Sequence, residues 1–208
     1  MTARPDPTTV SARTPRGQGE RLRGRLLDAG VEIVTEHGDA SHATIRAVTK
    51  RAGVSPTAFY LHFPTRDAFV SALRQRGFEE FRTVVAAAAA TGGEDPAARL
   101  HGAALGYIRF ARERPNIYAL IFSPDQSWDP NDPGRGSFED LVARIAAYLD
   151  HADGEGADVQ RLAMAIWTGL HGYVTLSYAA QKMDWPTDEE FATQLADAWL
   201  GPAVRGGH

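Results

Sequence analysis

Side chains that donate hydrogen bonds are concentrated between residues 44 and 66 of this 208-residue chain. Arginine, lysine, threonine, tyrosine and histidine recur there at intervals, with apolar residues between them. Side chains of these types bind phosphate oxygens and base edges through hydrogen bonds and charge. The side chains predicted to lie on the outside are Arg46, Lys50, Arg51, Thr57, Tyr60 and His62.

Two short helices must position these side chains. The apolar residues of the stretch recur at helical spacing and end at Gly53, a residue type that readily takes the left-handed backbone that closes a helix. Ser55 and Pro56 then predict a new helix, with serine as the N-cap and proline at the first helical position. The pattern predicts a helix-turn-helix with one shared apolar interior. The interior residues are Ile45, Val48, Ala52, Val54, Phe59 and Phe63.

The run from Ala43 to Phe69 resembles the DNA-binding domain of the TetR family of bacterial transcriptional regulators. The resemblance rests on the turn Ala52-Gly53-Val54-Ser55, on the end of the second helix, Tyr60-x-His62-Phe63, and on the basic residue Arg66 at the start of the next helix. These features occur together in the order and spacing of that family. The resemblance therefore implies a helical DNA-binding domain.

Double-stranded DNA is the partner that this resemblance implies. Thr49, where the family usually has alanine, and Pro56, where it usually has a polar or basic residue, are expected to change sequence preference rather than fold. A dimer of such domains binds a near-palindromic operator. The residues that the resemblance assigns to phosphates, base edges and the major groove are Thr44, Arg46, Thr57, Ala58, Tyr60, His62 and Arg66.

Charge is distributed unevenly along the chain, whose net charge is −4. Residues 1–66 hold 10 Lys and Arg against 6 Asp and Glu, and the remainder holds 12 against 20. A basic N-terminal part suits phosphate contact, and an acidic remainder stays away from the duplex. The chain has no cysteine, which excludes a thiolate metal site, and it has no apolar run long enough to span a membrane. We predict no cofactor, no metal, no membrane partner and a cytoplasmic location.

The fold predicted from these patterns is all-α, with an N-terminal helix-turn-helix domain of three helices and a C-terminal helical bundle. Residues 1–19, rich in Pro, Thr, Ser, Gly and Arg, are predicted to be a disordered arm. Residues 20–66 would form the DNA-binding domain, residues 67–91 a connecting helix, and residues 92–208 an effector-binding and dimerisation domain. The boundary is placed where Gly92-Gly93-Glu94-Asp95-Pro96 breaks the helical pattern.

Local signals predict further boundaries in the C-terminal half. Asp125 to Gly136 holds several prolines and glycines and is predicted to be a polar loop. Ser137 with Asp140, and Thr187 with Glu190, have the spacing of a capping box and predict the starts of two later helices.

The helix predicted at 157–180 is apolar nearly all round, so it must be covered on two sides. One side would face the core of the chain and the other a second subunit, with the helix at 188–200 beside it. Glycine inside the helix favours a close approach of helices. The run Trp167-x-x-x-His171-Gly172 also resembles the Trp-His-Gly subtype of C-terminal domain found on some TetR-like regulators. The predicted dimer interface consists of Gly169, Leu170, Tyr173, Phe191, Leu195 and Trp199.

Aromatic and thioether side chains on several helices of the second domain predict a pocket for a small apolar or aromatic effector. A filled core is the alternative, because sequence does not separate a cavity lining from packed side chains. A cavity of about 300 Å³ or more would favour the effector, and a solid interior would favour a constitutive DNA-binding protein. The predicted lining is Tyr107, Tyr118, Phe122, Met164, Trp167, His171 and Tyr178.

Three functions remain open at the level of sequence. The first is a repressor released from DNA by a small molecule, and the second is a constitutive DNA-binding and dimerisation protein without an effector. The third is a helical enzyme, but the chain contains no nucleophile elbow, phosphate-binding loop or HExxH motif. We therefore predict no catalytic residues.

Overall fold

The computed structural model describes residues 16–123, 132–152 and 157–205. Within these ranges the chain forms α-helices and one 3₁₀ turn, at Ala40–His42, and contains no β-strand. This confirms the all-α prediction. The helices are α1 (Arg16–His37), α2 (Ile45–Ala52), α3 (Pro56–Tyr60), α4 (Arg66–Ala90), α5 (Pro96–Glu113), α6 (Pro115–Ile121), α7 (Arg135–His151), α8 (Val159–Ala179) and α9 (Asp188–Arg205).

Most of these helices have a side chain that caps their N-terminal end. Thr44, Ser55 and Thr65 each accept a hydrogen bond from the backbone N–H three residues on, at 3.2, 3.2 and 3.0 Å. The capping box at Thr187 and Glu190 also forms, because the Thr187 N–H donates to Glu190 Oε2 at 2.8 Å and the Glu190 N–H donates to Thr187 Oγ1 at 3.2 Å. Such caps satisfy orphan N–H groups within one turn, which is why sequence predicts them well.

The predicted cap at Ser137 is wrong. Helix α7 starts earlier, since Asp132 Oδ1 accepts from the Gly134 N–H at 2.7 Å and the Arg135 N–H donates to the Asp132 carbonyl at 3.1 Å. Ser137 therefore lies inside the first turn of α7, and its hydroxyl does not cap the helix.

Two predicted boundaries also differ from the structure. Helix α1 already begins at Arg16, so residues 16–19 are helical rather than part of a disordered arm, and residues 1–15 lie outside the described residues. Extending an existing helix costs little per residue, so the chain needs no apolar periodicity there. The loop predicted at Asp125–Gly136 lies mostly outside the described residues, and its last two residues belong to α7.

A single hydrophobic core runs through the molecule from α1 to α9. Helix α4 crosses it, because the side chains of Phe69 and Leu73 are buried against α1 and those of Phe78 and Phe81 lie among the C-terminal helices. Gly77 on α4 allows α6 to come close, since a Cβ there would lie 2.5 Å from Ile121 Cγ2. Helix α4 thus belongs to the packing of both halves of the chain.

Two kinds of site find no support among the described residues. No helix there is both long and apolar enough to cross a membrane. The same residues hold no group of three His, Asp or Glu side chains that could bind a metal ion.

Candidate functional site

The turn between α2 and α3 has the geometry that the sequence predicts. Gly53 has φ +66°, in the left-handed region, and the Val54 N–H donates to the Thr49 carbonyl at 3.0 Å. The rings of Phe59, Phe63 and Phe69 pack together with centroids 5.0–5.5 Å apart. This cluster fixes α3 against the start of α4, so the two helices of the motif have one relative orientation.

Thr49 of α2 is buried, at a position where a polar group needs a partner. Its hydroxyl donates to the Ile45 carbonyl of its own helix at 2.8 Å. Threonine is therefore accommodated inside α2 without an unsatisfied group, and the fold is kept.

The outer face of α2 and α3 presents side chains to solvent. Thr44, Arg46, Lys50 and Thr57 are exposed, and Tyr60 at the end of α3 is 54% exposed. A hydroxyl, a guanidinium, an ammonium and a phenol are together able to bind phosphate oxygens and base edges. Ala58 and His62 are half-buried at the margin of this face.

Two arginines of the helix-turn-helix region bond to other parts of the chain. Arg51 forms a two-point ion pair with Glu36 of α1, at 2.8 and 2.7 Å, and its hydrogen bonds lower the pKa of the Glu36 carboxyl. Arg66 is half-buried, and its guanidinium donates to the Ala40 carbonyl at 2.5 Å. These contacts hold the 3₁₀ turn and α2 in place beneath the exposed side chains.

A cavity of about 70 Å³ lies between α4, α5, α7, α8 and α9. Its walls are mostly aliphatic and aromatic. Polar side chains enter the lining mainly from α7 and from the outer surface of α4. The apolar lining includes Phe81, Val85, Leu100, Ala104, Tyr107, Phe122, Phe138, Leu141, Ile166, Trp167, Leu195 and Leu200.

A polar network lies behind one end of the cavity. Tyr107 Oη and Tyr118 Oη are 2.8 Å apart, and Tyr118 Oη is 2.6 Å from His171 Nδ1. Burial raises the pKa of both tyrosines and lowers the pKa of His171. The phenols are therefore protonated and the imidazole is neutral near pH 7, and the direction of the Tyr118–His171 hydrogen bond is set by which ring nitrogen carries the proton.

Large apolar side chains remain exposed on α8, on α9 and on the turn between them. We call Met164, Leu176, Tyr178, Met183 and Trp199 the α8/α9 face; they are 49%, 55%, 70%, 62% and 46% exposed. The opposite side of α8, at Ile166, Leu170 and Tyr173, is buried in the core. Large apolar side chains that stay exposed in this way are candidates for an interaction surface.

Two family profiles match the chain. Residues 26–73 match bacterial regulatory proteins of the tetR family, and residues 100–198 match the tetracyclin repressor-like C-terminal domain. Together the matches cover both halves of the molecule and more than half of its length. The chain belongs to the TetR family of transcriptional regulators. The Trp-His-Gly subtype stays a prediction.

An uncharacterized HTH-type transcriptional regulator from Mycobacterium tuberculosis is 38% identical over 79 residues, which are 36% of this chain and 40% of that protein. The chain thus spans less than half the length of this curated relative. A protein of unknown function from Rhodococcus sp. RHA1 has the same fold, with a TM-score of 0.73 and 23% identity over 96% of this chain and 98% of that chain.

Two ligand-bound structures also share the TetR fold. RolR in complex with resorcinol has a TM-score of 0.65 and 18% identity, over 92% of this chain and 95% of that chain. FadR from Bacillus subtilis in complex with stearoyl-CoA has a TM-score of 0.66 and 18% identity, over 89% of this chain and 99% of that chain. At 18% sequence identity, the similarity to these two structures concerns the fold alone.

In this TetR-family chain the structure brings part of the predicted pocket together. Tyr107, Phe122 and Trp167 line the cavity, and Tyr118 and His171 lie behind it in the polar network. Met164 and Tyr178 do not belong there, because both side chains point to the outside of α8. Trp167 and His171 lie on the same helix but are half-buried, whereas Met164 and Tyr178 lie on its exposed side.

The predicted dimer interface is mostly an interface inside the chain. A Cβ at Gly169 would lie 2.6 Å from Leu195 Cδ1, so the close approach is made by α9 of the same chain. Tyr173 stacks on Phe191 with ring centroids 3.9 Å apart, and Leu170, Tyr173 and Leu195 are buried. Among the predicted interface residues, Trp199 is the one that the structure places on the α8/α9 face.

The lining predicted from the sequence did not include α7 or the small residues of the cavity wall. It consisted mainly of aromatic side chains, so it left out Ala103 and Ala104, and Leu195 had been assigned to the dimer interface instead. Phe138 and Leu141 are three residues apart on α7, a helical spacing that identifies the covered face of this helix.

Proposed function

We propose that this TetR-family regulator is a repressor that binds a near-palindromic operator as a homodimer and is released by a small apolar molecule. The observation that carries this proposal is the path of α4. Its first turn follows the helix-turn-helix directly, and Phe81 and Val85 on the same helix line the cavity. A molecule that widens the cavity would therefore displace the helix that carries the DNA-binding domain.

DNA contact is assigned to the exposed face of α2 and α3. Thr44 and Arg46 would reach phosphate and a base edge, and Thr57, Ala58 and Tyr60 would face the major groove. His62 and Arg66 lie at the margin, where phosphates pass. Because Arg66 also holds the Ala40 carbonyl, its contribution to DNA binding includes the position of the 3₁₀ turn.

Dimerisation is assigned to the α8/α9 face. Large apolar side chains that remain exposed in one chain are expected to be covered in the assembly. A two-fold interface places the same patch of each copy against the other. Two DNA-binding domains would then face successive half-sites of one operator.

Effector release is a population shift, so the molecule must prefer the state that does not bind DNA. Solved structures of this fold hold resorcinol, a small aromatic molecule, and stearoyl-CoA, which carries a long apolar chain, and this supports an effector with aromatic or apolar surface. The cavity of about 70 Å³ is smaller than the 300 Å³ that the sequence analysis set as its criterion. The effector model therefore requires the cavity to widen when a ligand enters.

The narrow cavity favours the constitutive DNA-binding protein as the second candidate. To separate the two, the operator complex would be titrated with resorcinol, 1-octanol and stearoyl-CoA, and the bound fraction measured by fluorescence anisotropy at fixed salt. Release by at least one of these probes, together with tighter binding of that probe to the free protein, is expected for the repressor. If none of the three changes the affinity for DNA, the constitutive function replaces it.

A further inference from the structure

The polar groups at the mouth of the cavity mostly have partners within the chain. Arg82 Nε donates to Asp140 Oδ2 at 2.9 Å, and both side chains are about half exposed. His101 Nε2 lies 3.6 Å from Glu189 and 3.4 Å from Thr193 Oγ1. Arg144 also lines the open groove beside Glu94 and Arg99, so its charge lies towards solvent.

Ser137 differs from these mouth groups. Its Oγ is buried and has no hydrogen-bond partner in the part of the chain that the structure describes, and the residue lines the cavity. Helix α7 has no side-chain cap, and Asp132 bonds the Gly134 N–H just before it, so the Ser137 hydroxyl has no role in starting the helix. Buried hydroxyls are nearly always hydrogen-bonded, and an unpaired one in a cavity wall points to a missing partner.

The polar network of Tyr107, Tyr118 and His171 does not supply a hydrogen-bond partner for Ser137 Oγ. Tyr107 and Tyr118 are hydrogen-bonded to each other, and Tyr118 is bonded to His171. Tyr107 Oη, Tyr118 Oη and His171 Nδ1 thus already have partners within the chain, whereas a ligand that bonds to Ser137 Oγ satisfies a group that is otherwise unpaired.

We propose that Ser137 is the polar anchor of the cavity and that the ligand is an uncharged, mainly apolar phenol or alcohol. A hydroxyl both donates and accepts, so it pairs with the serine hydroxyl in either direction. Arg82 and Asp140 of the lining already pair with each other, so a carboxylate or ammonium at Ser137 would have to break that ion pair or stay buried without a free opposite charge, which is unfavourable. This inference names the ligand class of the proposed function, but binding itself does not depend on DNA.

The cavity must widen to hold a ligand of this class. A cavity of roughly 150 Å³ has held benzene in an engineered protein, about twice the 70 Å³ present here. Phe138, Leu141 and Trp167 are half-buried wall residues and can move towards solvent more easily than the fully buried ones. Entry of a ring therefore changes the environment of Trp167, which gives a fluorescence signal.

The test uses three probes of similar shape, p-cresol, toluene and p-toluate, with the full chain in the absence of DNA. Binding is measured by calorimetry and by tryptophan fluorescence. We expect p-cresol to bind on the order of tenfold more tightly than toluene, the effect of about one hydrogen bond, and p-toluate to bind more weakly than either. Ser137→Ala should reduce p-cresol to the affinity of toluene and leave toluene unchanged, while Ser137→Thr should keep the preference.

Ser177→Ala is the matched control, because Ser177 is also a buried serine but bonds to the Val174 carbonyl and does not line this cavity. It should leave all three affinities unchanged. Circular dichroism verifies the fold of each variant. The proposal is overturned if Ser137→Ala keeps the preference for p-cresol, if p-toluate binds most tightly and depends on Arg144, or if no probe binds. Binding of p-cresol without any release of operator DNA would instead overturn the repressor function and leave this inference intact.

Discussion

At the scale of single residues, the basic side chains of the helix-turn-helix differ in exposure: some face solvent, and others bond to the domain itself. Arg46 is exposed at the start of α2, whereas Arg66 is half-buried and bonded to the Ala40 carbonyl. Both are cations in the same motif, and their substitution should have different consequences.

Arg46→Ala should cost about 1–3 kcal/mol at one base-pair position, because a guanidinium on a base edge reads sequence. Arg66→Ala should weaken binding to all sequences alike, and it should lower the free energy of unfolding by about 1 kcal/mol through loss of the bond to Ala40. Gel shift at fixed salt and urea unfolding measure the two effects. Arg109→Ala, an exposed arginine on α5, is the control for lost charge. Equal loss at every base pair for Arg46→Ala would contradict its placement.

The polar network makes stability depend on pH. Burial lowers the pKa of His171 below its ordinary value of 6.5, so the unfolded chain takes up a proton at this residue more readily than the folded chain. The contribution of His171 to stability is complete above pH 6.5 and falls as the pH drops below it. Urea unfolding between pH 8 and pH 5 should show this slope, and His171→Gln should make it shallower. An unchanged slope in the variant would assign the pH dependence to other groups.

At the scale of the helices, α4 is fixed to the C-terminal half by a buried ion pair. Arg74 Nη2 lies 3.3 Å from Asp132 Oδ2, with both side chains almost fully buried, and the same nitrogen donates to the Ile121 carbonyl at 3.2 Å. One side chain thus joins α4 to the end of α6 and to the start of α7.

Arg74→Ala should lower the free energy of unfolding by about 3–5 kcal/mol, because it leaves the Asp132 carboxylate buried without an opposite charge. The double variant Arg74→Met, Asp132→Asn should recover most of that loss, since the asparagine oxygen can still accept from the Gly134 N–H. Urea unfolding of both variants tests this. If the double variant is as unstable as the single one, buried charge is not the cause.

Sequence predicted the elements whose causes are local. The caps at Ser55 and Thr187 and the turn at Gly53 each depend on a few neighbouring residues. The faces of α8 were not predictable, because a helix that is apolar all round shows that it is covered without showing by which neighbour. The structure supplies this, since Leu195 of α9 takes the place beside Gly169 that the sequence analysis assigned to a second subunit.

At the scale of the whole molecule, the α8/α9 face is the surface to which we assign dimerisation. It is exposed in the single chain, whereas Gly169 is covered by α9. Substitutions at the two places should therefore have different effects on assembly and on folding.

Leu176→Glu should give folded monomers, because a two-fold interface would bring two uncompensated carboxylates together. Gly169→Glu should instead disrupt the packing of α8 on α9 and destabilise the chain itself. Ala87→Glu, at an exposed position on α4, controls for an added charge on a helix surface. Sedimentation gives the mass and circular dichroism the fold. A Leu176→Glu variant that stays dimeric would place the interface elsewhere.

Selection of binding sites from a random DNA pool tests the central claim most directly. The selected sites are then titrated with the protein, and the stoichiometry of the complex is measured by sedimentation. We predict a near-palindromic site that binds two chains, with affinity that falls steeply as salt rises and with a selected sequence that changes at one symmetric position in Arg46→Ala. Binding without sequence preference, or to a site without two-fold symmetry and with one chain per duplex, would contradict the account.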